Sequence, residues 1–323
     1  MRVLVTGGAG FIGHHLVAAL LARGDEVVVL DDYSTGLRSR LDGVRDLITM
    51  VEGDIRDPDA TARATDGVEV VLHQAAIPSV ARSVADPLRS NSVNVDGTIR
   101  LMLACVAAGV RRVVAAGSSS IYGASPELPR RETQRPDPRS PYAVSKLATE
   151  QYVHTLGELH GIETVVLRYF NVFGPGQDPG SQYAAVVPKF ITAALAGERP
   201  VIHGDGRQSR DFTYIDNVVS ANLLAATAAG VSGVTANVGC GGRFDLLQLL
   251  DRIRDAVGDL PEPVFEPTRA GDVRDSEADI GVARERLGYE VLVPFDEGVR
   301  RTVAWYREAG GQPRPLARAD AGR

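Results

Sequence analysis

The segment Thr6-Gly7-Gly8-Ala9-Gly10-Phe11-Ile12-Gly13 constrains the fold more than any other stretch of the chain. It follows a short run of strand formers, Arg2–Thr6, and opens an amphipathic run from Phe11 to Ala22. Gly8, Gly10 and Gly13 spell G-x-G-x-x-G, and Gly7 starts an overlapping G-x-x-G-x-x-G. A turn without Cβ atoms lets backbone N–H groups and a helix N-terminus meet a pyrophosphate. Glycines alone signal only a tight turn. Here a strand precedes them, a helix follows, and an acid ends the next strand, which together point to a dinucleotide site. That acid is Asp31, with Asp32 beside it, after the strand Glu26–Leu30. A carboxylate there accepts hydrogen bonds from ribose hydroxyls and repels a 2′-phosphate. No Arg or Lys follows until Arg38, so NAD is expected rather than NADP. Asp54-Ile55, after a third strand at Leu47–Glu52, would sit near the adenine; Asp54 reads equally as a helix N-cap or a turn residue.

The first half continues as strands alternating with helices. Val68–His73 and Arg112–Ala116 read as the fourth and fifth strands and Thr164–Tyr169 as the sixth, with helices over Val93–Ala108 and Tyr142–His160. This alternation predicts a doubly wound parallel α/β sheet, and apolar runs such as Val-Val-Val-Leu at 27–30 suit strands covered on both faces. After about Asn171 the elements shorten: a Gly/Pro-rich stretch at Gly174–Ser181, then helices over Ala184–Ala196, Asp216–Ala228 and Leu246–Val257, a strand or loop at Pro261–Pro267, and a last ordered run at Val299–Tyr306. The expected organisation is a Rossmann domain over 1–172, with segments near 211–240 returning to it, and a smaller α/β substrate domain over 173–308. Residues 309–323 lack periodicity and read as a disordered tail.

Two further constellations carry chemistry. Tyr142 and Lys146 are spaced i, i+4 on one helix face. A tyrosine of ordinary pKa near 10 is a poor base at neutral pH. An ammonium one turn away and an oxidised nicotinamide would favour the phenolate, which could then take a proton from an alcohol. An exposed helix pair is the plain alternative for any Y-x-x-x-K. Composition weighs against it: arginine outnumbers lysine 33 to 2, and the two lysines are Lys146 and Lys189. The run Gly117-Ser118-Ser119-Ser120-Ile121-Tyr122-Gly123 ends the fifth strand, where ligands bind in open α/β sheets; taken alone it is a serine-rich turn.

Composition excludes other classes. A net charge of −6 offers no basic face for a phosphate backbone, so no nucleic-acid partner is expected. No apolar run approaches the ~20 residues that cross a bilayer, and the N-terminal Met-Arg-Val-Leu-Val is too short for a signal peptide, so no membrane partner and a cytoplasmic location are expected. Cys105 and Cys240 form no disulfide framework, and the six histidines are scattered without metal-type spacing, so no metal is expected.

Together the T-G-G-A-G-F-I-G opening, the S-S-S-x-Y-G segment, P-Y-A-V-S-K and R-Y-F-N-V-F-G-P-G resemble the extended short-chain dehydrogenase/reductases, in the nucleotide-sugar epimerase group related to UDP-glucose 4-epimerase. The resemblance covers all but the tail. It implies a catalytic Ser118, Tyr142 and Lys146. For NAD it implies Gly7, Gly10, Phe11, Ile12, Gly13, Asp31, Asp32, Ser34, Thr35, Gly36, Asp54, Ile55, Gln74, Ala75, Ala76, Asn94 and Tyr169 beside Tyr142 and Lys146, with Asn94 as a buttress. For a UDP-sugar it implies Ser79, Ser118, Ser119, Ser120, Tyr142, Asn171, Val187, Lys189, His203, Arg210, Arg269, Asp272 and Ser276. It also implies a homodimer built on the 93–108 and 142–160 helices.

Within this group the dehydratases place Asp-Glu directly after the catalytic hydroxyl. Here those positions are Ser119 and Ser120, and a serine cannot do a carboxylate's proton work at neutral pH. The expected reaction is reversible C4 epimerisation through a transient 4-keto sugar on bound NAD. UDP-GlcNAc/UDP-GalNAc and UDP-Glc/UDP-Gal lead as substrates, because the family's gate position falls on the small Ser276. A UDP-glucuronate or UDP-xylose 4-epimerase is the alternative within the class. A non-catalytic dinucleotide-binding sensor is the alternative outside it, set against by the intact Ser118, Tyr142 and Lys146.

Overall fold

The computed structural model describes residues 1–180, 185–268 and 273–310. The first half runs β1 (Arg2–Thr6), α1 (Phe11–Arg23), β2 (Glu26–Asp31), β3 (Ile48–Glu52), α2 (Pro58–Thr65), β4 (Val70–His73), α3 (Val80–Ala85), α4 (Pro87–Asn91), α5 (Gly97–Ala108), β5 (Arg112–Ser118), α6 (Pro141–His160) and β6 (Glu163–Tyr169). The second half runs β7 (Val172–Phe173), α7 (Val186–Leu195), β8 (Val201–His203), β9 (Ser209–Arg210), β10 (Thr213–Tyr214), α8 (Ile215–Thr227), β11 (Val234–Val238), β12 (Phe244–Asp245), α9 (Leu246–Val257), β13 (Val264–Glu266), α10 (Gly281–Leu287) and α11 (Phe295–Ala309).

Seven parallel strands form the main sheet in the order β11-β6-β5-β4-β1-β2-β3. The order reverses between β1 and β4, and ligands bind beyond the carboxyl ends of strands at such a switch point. Side chains alternate across the sheet. Val3 and Val5 join the large core that continues into the second half, whereas Leu4, Val28 and Val71 face a second core against α2 and α5. The strands inside the sheet are therefore buried on both sides, which is why their sequences read as continuous apolar runs, whereas the edge strand β3 is partly exposed.

Local chemistry sets the element ends. Ser140 caps α6 by accepting from Ala143 N–H, Pro141 occupies its first turn, and Gly161 closes it in the left-handed region at φ 73°. Asp57 caps α2, and Asp245 with Gln248 forms a capping box on α9. Several expected bounds shift. The 93–108 helix starts with a π-helical turn at Ser92–Asp96. Helices α2, α3, α4 and α10 and the strand β11 were not legible as elements. The last helix starts at Phe295, and Gly310 ends it, so the expected tail at 309–323 overlaps the helix end; residues 311–323 lie outside the described residues.

In the second half the strands other than β11 are two or three residues long and pair across distance: β7 with β10, β9 with β12, and β8 with β13. Residues 215–238 come back to the large sheet, with β11 extending it beside β6. No described helix is long and apolar enough to cross a membrane, and no described cluster of His, Cys, Asp and Glu could hold a metal ion.

Candidate active site

A cleft of about 440 Å³ opens at the switch point. Gly7, Gly10, Phe11, Ile12 and Gly13 form one wall, Asp31, Asp32, Ser34, Thr35, Asp54 and Ile55 one end, and Gln74, Ala75, Ala76 and Ser79 the floor toward Tyr142, Lys146 and Tyr169. The glycines are sterically required. A Cβ on Gly13 would stand 2.1 Å from the Gly7 carbonyl oxygen, and one on Gly7 2.8 Å from Ala75 N. Gly10 is the N-cap of α1, with no side-chain cap and no acid in the first turn. The first N–H groups of that helix are therefore left for an anion, with the helix dipole behind them. These features fit a dinucleotide pyrophosphate.

Asp31 is held by Ala9 N–H at 2.9 Å and Tyr33 N–H at 2.8 Å; burial nevertheless raises its pKa. Asp54 pairs with Arg56, which lowers its pKa, and its carbonyl accepts from Asp57 N–H. Asp54 is thus a turn residue on the cleft wall and not a helix N-cap, a role that Asp57 fills. Tyr169, Gln74 and Asn222 form a hydrogen-bonded triangle at 2.8–3.2 Å.

At the other end, the Ser118 side chain lies near enough to the Tyr142 hydroxyl to act on its protonation. Ser118 Oγ lies 2.8 Å from Ser120 Oγ. Lys146 donates to the Ala116 carbonyl at 2.9 Å, and burial pushes it down to about 8. The expected lowering of Tyr142 by Lys146 is not what these contacts give. Burial raises Tyr142, and the Ser118 side chain is the only opposing influence.

Other expected residues fall outside the cleft wall. Gly36 packs under Asp31, where a Cβ would stand 3.0 Å from Oδ1. Asn94 lies behind the wall: Oδ1 accepts from Ile77 N–H at 2.7 Å, and Nδ2 donates to Ser145 Oγ at 3.0 Å and to the Ile77 carbonyl at 3.3 Å. With its side chain so engaged it is a buttress and not a wall residue of the cofactor cleft. Asn171 is exposed just after β6, and Lys189 is half-buried on α7. The Val187 side chain is 1% exposed and packed in the core, so it does not line a ligand surface as expected. His203 opens onto a second hollow of about 430 Å³ with Gly204, Gln208, Glu266 and Arg274. Arg210 donates to the Ser209 and Arg274 carbonyls at 2.9 and 3.0 Å, and Ser276 N–H donates to the Ser209 carbonyl at 3.1 Å. Arg269 and Asp272 lie outside the described residues.

Arg40, Arg82, Gln177 and Asp178 also line the cleft and carry no sequence signal. The arginines are two among 33, and Gln177-Asp178 sits in an apparent linker.

A family model described as the NAD-dependent epimerase/dehydratase family matches residues 3–239. The chain is 43% identical over 311 residues to a UDP-glucose 4-epimerase of Mycolicibacterium smegmatis, covering 95% of this chain and 99% of the relative. It is 38% identical to a UDP-N-acetylglucosamine 4-epimerase of Methanobrevibacter ruminantium solved with UDP-N-acetylmuramic acid, with a TM-score of 0.90 over 95% of this chain and 98% of that one. It is 39% identical to a UDP-glucose 4-epimerase of Thermus thermophilus solved with NAD, with a TM-score of 0.88 over 96% of this chain and all of that one (100%).

Proposed function

The chain belongs to the NAD-dependent epimerase/dehydratase family and is an NAD-dependent UDP-sugar 4-epimerase; from that premise we propose that Ser118, Tyr142 and Lys146 carry its chemistry, on UDP-GlcNAc/UDP-GalNAc and UDP-Glc/UDP-Gal. The observation that carries the reading is Tyr142, one helical turn from Lys146 and under the influence of Ser118, in one cleft with the glycine wall and Asp31.

When bound, NAD supplies a reversible hydride acceptor at C4. Tyr142 takes the proton of the 4-hydroxyl and later returns it, a general-base and general-acid role. Ser118 holds the Tyr142 hydroxyl and, through its own, the sugar oxygen. Lys146, which does not lower Tyr142 in the site as it stands, would add its positive charge to that of the bound oxidised nicotinamide in favouring the phenolate. The 4-keto sugar turns about its phosphate linkage between the two proton transfers. Ser119 and Ser120 provide no carboxylate for eliminating water. Arg210, which bonds the Arg274 carbonyl beside the second hollow, is the cation read at the nucleotide diphosphate, since guanidinium forks match phosphate oxygens; within the hollow Asp205 and Glu266 already pair with Arg274 and His203.

We read residues 1–172 with the returning 211–240 segment as the NAD-binding domain and 173–308 as the substrate lobe. We also read the protein as a homodimer: Leu103 on α5 and Val144, Tyr152 and Leu159 on α6 are large apolar side chains at the surface, Leu159 70% exposed. The deciding experiment is incubation with a panel of UDP-sugars followed by NMR of C4 inversion. Inversion of UDP-Glc and UDP-GlcNAc is expected; inversion of UDP-glucuronate alone would overturn the substrate reading, and no inversion of any of them the catalytic one.

A further inference from the structure

The segment Gly174–Asp178 runs from the end of β7 onto the cofactor cleft, and Gln177 and Asp178 form part of the cleft wall together with Arg40 and the glycine turn. Its three successive carbonyls are each taken by a side chain from a different element. His15 on α1 meets the Pro175 carbonyl at 2.9 Å. Arg40, in the short 3-10 turn after β2, donates to the Gly176 carbonyl at 2.7 Å and to the Ala9 carbonyl at 3.1 Å. Tyr306 on α11 donates its hydroxyl to the Gln177 carbonyl.

All three donors stay in the donating form at ordinary pH. Burial holds His15 neutral, at about 4, so its Nε2–H tautomer serves the carbonyl. Burial also raises Tyr306, and Arg40 remains a cation although burial lowers it. Asp31 and Asp178 are the carboxylates whose charge reaches Arg40. The backbone is seated closely. Gly176 adopts φ 79°, and a Cβ there would stand 3.0 Å from His14 Nε2. Gln177 Nε2 donates to the Val172 carbonyl at 3.2 Å, while Oε1 is buried with no hydrogen-bond partner among the described residues. A donor from a bound ligand would satisfy it.

We propose that residues 174–178 are a strap that retains the dinucleotide, and that His15, Arg40 and Tyr306 are its positioning residues. The inference rests on the NAD reading of the cleft. A cofactor lying between the glycine turn and Gln177–Asp178 leaves only when the strap lifts, and lifting breaks hydrogen bonds that tie α1, the turn after β2 and α11 to one loop. An enzyme that regenerates its cofactor in each turnover gains from such a tie, because loss of NAD ends catalysis. The hydrogen bonds of the pins run to the strap and to Ala9, and none of those described reaches Ser118, Tyr142 or Lys146, so the pins govern residence and not chemistry.

The test follows NAD release from the purified holoenzyme. Protein is diluted into an excess of an NAD-consuming trap enzyme, and remaining bound NAD is assayed over time. Tyr306→Phe and His15→Asn each remove one pin, and each is expected to speed release about 2- to 10-fold, the scale of one hydrogen bond. The double variant is expected to multiply the two effects. Val303→Ala, a core truncation one turn before Tyr306 on α11, is the control for general loosening of that helix and is expected to release NAD more slowly than Tyr306→Phe. Initial kcat of freshly loaded Tyr306→Phe is expected to match wild type. Unchanged release in both pin variants, or equal acceleration in Val303→Ala, overturns the strap alone. A wild type that binds no NAD overturns the cofactor reading and the strap with it.

Discussion

Tyr142 is a neutral phenol as the site stands, because burial raises it and only Ser118 opposes that. Its use as a proton acceptor therefore depends on charge arriving beside it, and Lys146 is the protein's contribution. Tyr142→Phe keeps the ring and removes the acceptor, so turnover at saturating substrate should fall at least ~100-fold, the scale of a lost acid–base group. Near-normal turnover in that variant would refute the mechanism. A second residue reports on stability. Burial, with the nearby Lys146 ammonium, pushes His73 down to about 3, whereas an unfolded histidine titrates near 6.5. Between those values the unfolded chain binds a proton that the folded chain refuses. Stability should therefore fall as pH drops from about 6.5 toward 3, by at most ~1.4 kcal/mol per pH unit from this group. Asp211 works with the opposite sign: burial raises it to about 6, so the folded state holds its proton more tightly, and that contribution is lost as pH rises through about 6. The comparison that isolates His73 is Tm against pH for wild type and His73→Gln between pH 6 and 4.5. The variant should show the shallower slope, and equal slopes would assign the acid limb to other groups.

Helix α6 was legible because its ends and its face agree: Ser140-Pro141 at the start, Gly161 at the finish, and Tyr142 with Lys146 on one side. The π-helical turn at Ser92–Asp96 was not legible, because one extra residue per turn leaves no mark in an apolar period. It is nonetheless where Asn94 bridges the Ile77 loop to Ser145 on α6, and so fixes the floor of the cleft against the helix that carries the catalytic pair. Asn94→Leu would orphan Ile77 N–H in a buried site, costing ~1–3 kcal/mol. Calorimetry should find that loss, and kinetics should find kcat reduced more than KM is raised. A variant as stable and active as wild type would remove Asn94 from the support of the site. The same elements carry the assembly prediction. The apolar residues on the surfaces of α5 and α6, Leu103, Val144, Tyr152 and Leu159, are the surface on which the proposed dimer would form. Light scattering should report twice 34.4 kDa for wild type, and Tyr152→Arg together with Leu159→Arg should return the monomer. A monomeric wild type at micromolar concentration would refute the dimer.

At the scale of the whole molecule, what the sequence displays depends on how local the structure is. The first half was legible because its strands of four to seven residues, the edge strand β3 apart, are buried on both faces and alternate with helices, so pattern and position coincide. The second half was not, because its small sheets join two- and three-residue strands that are far apart in the chain, such as Ser209–Arg210 with Phe244–Asp245. Val187 illustrates the cost: a motif placed it beside the substrate, and tertiary packing turned its side chain into the core. Ser276 is the position where this distant pairing bears on specificity. Its N–H is tied to the Ser209 carbonyl, and Ser209 Oγ bonds Asp275, so the segment carrying it is hung on the strand that also carries Arg210. A side chain at 276 is therefore held in a fixed relation to the arginine expected at the diphosphate. On the proposed reading of position 276 as the gate beside C2, serine would leave room for an N-acetyl group and a tyrosine would fill it. Overpacking costs ~1–3 kcal/mol where the surroundings cannot yield, which reads as about 10- to 100-fold in kcat/KM. Ser276→Tyr should lose that much activity on UDP-GlcNAc while keeping UDP-Glc within a few-fold of wild type, measured by parallel C4-inversion kinetics. Equal loss on both sugars would show that position 276 shapes the lobe without gating the pocket, and undetectable wild-type turnover of UDP-GlcNAc would refute the wide pocket itself.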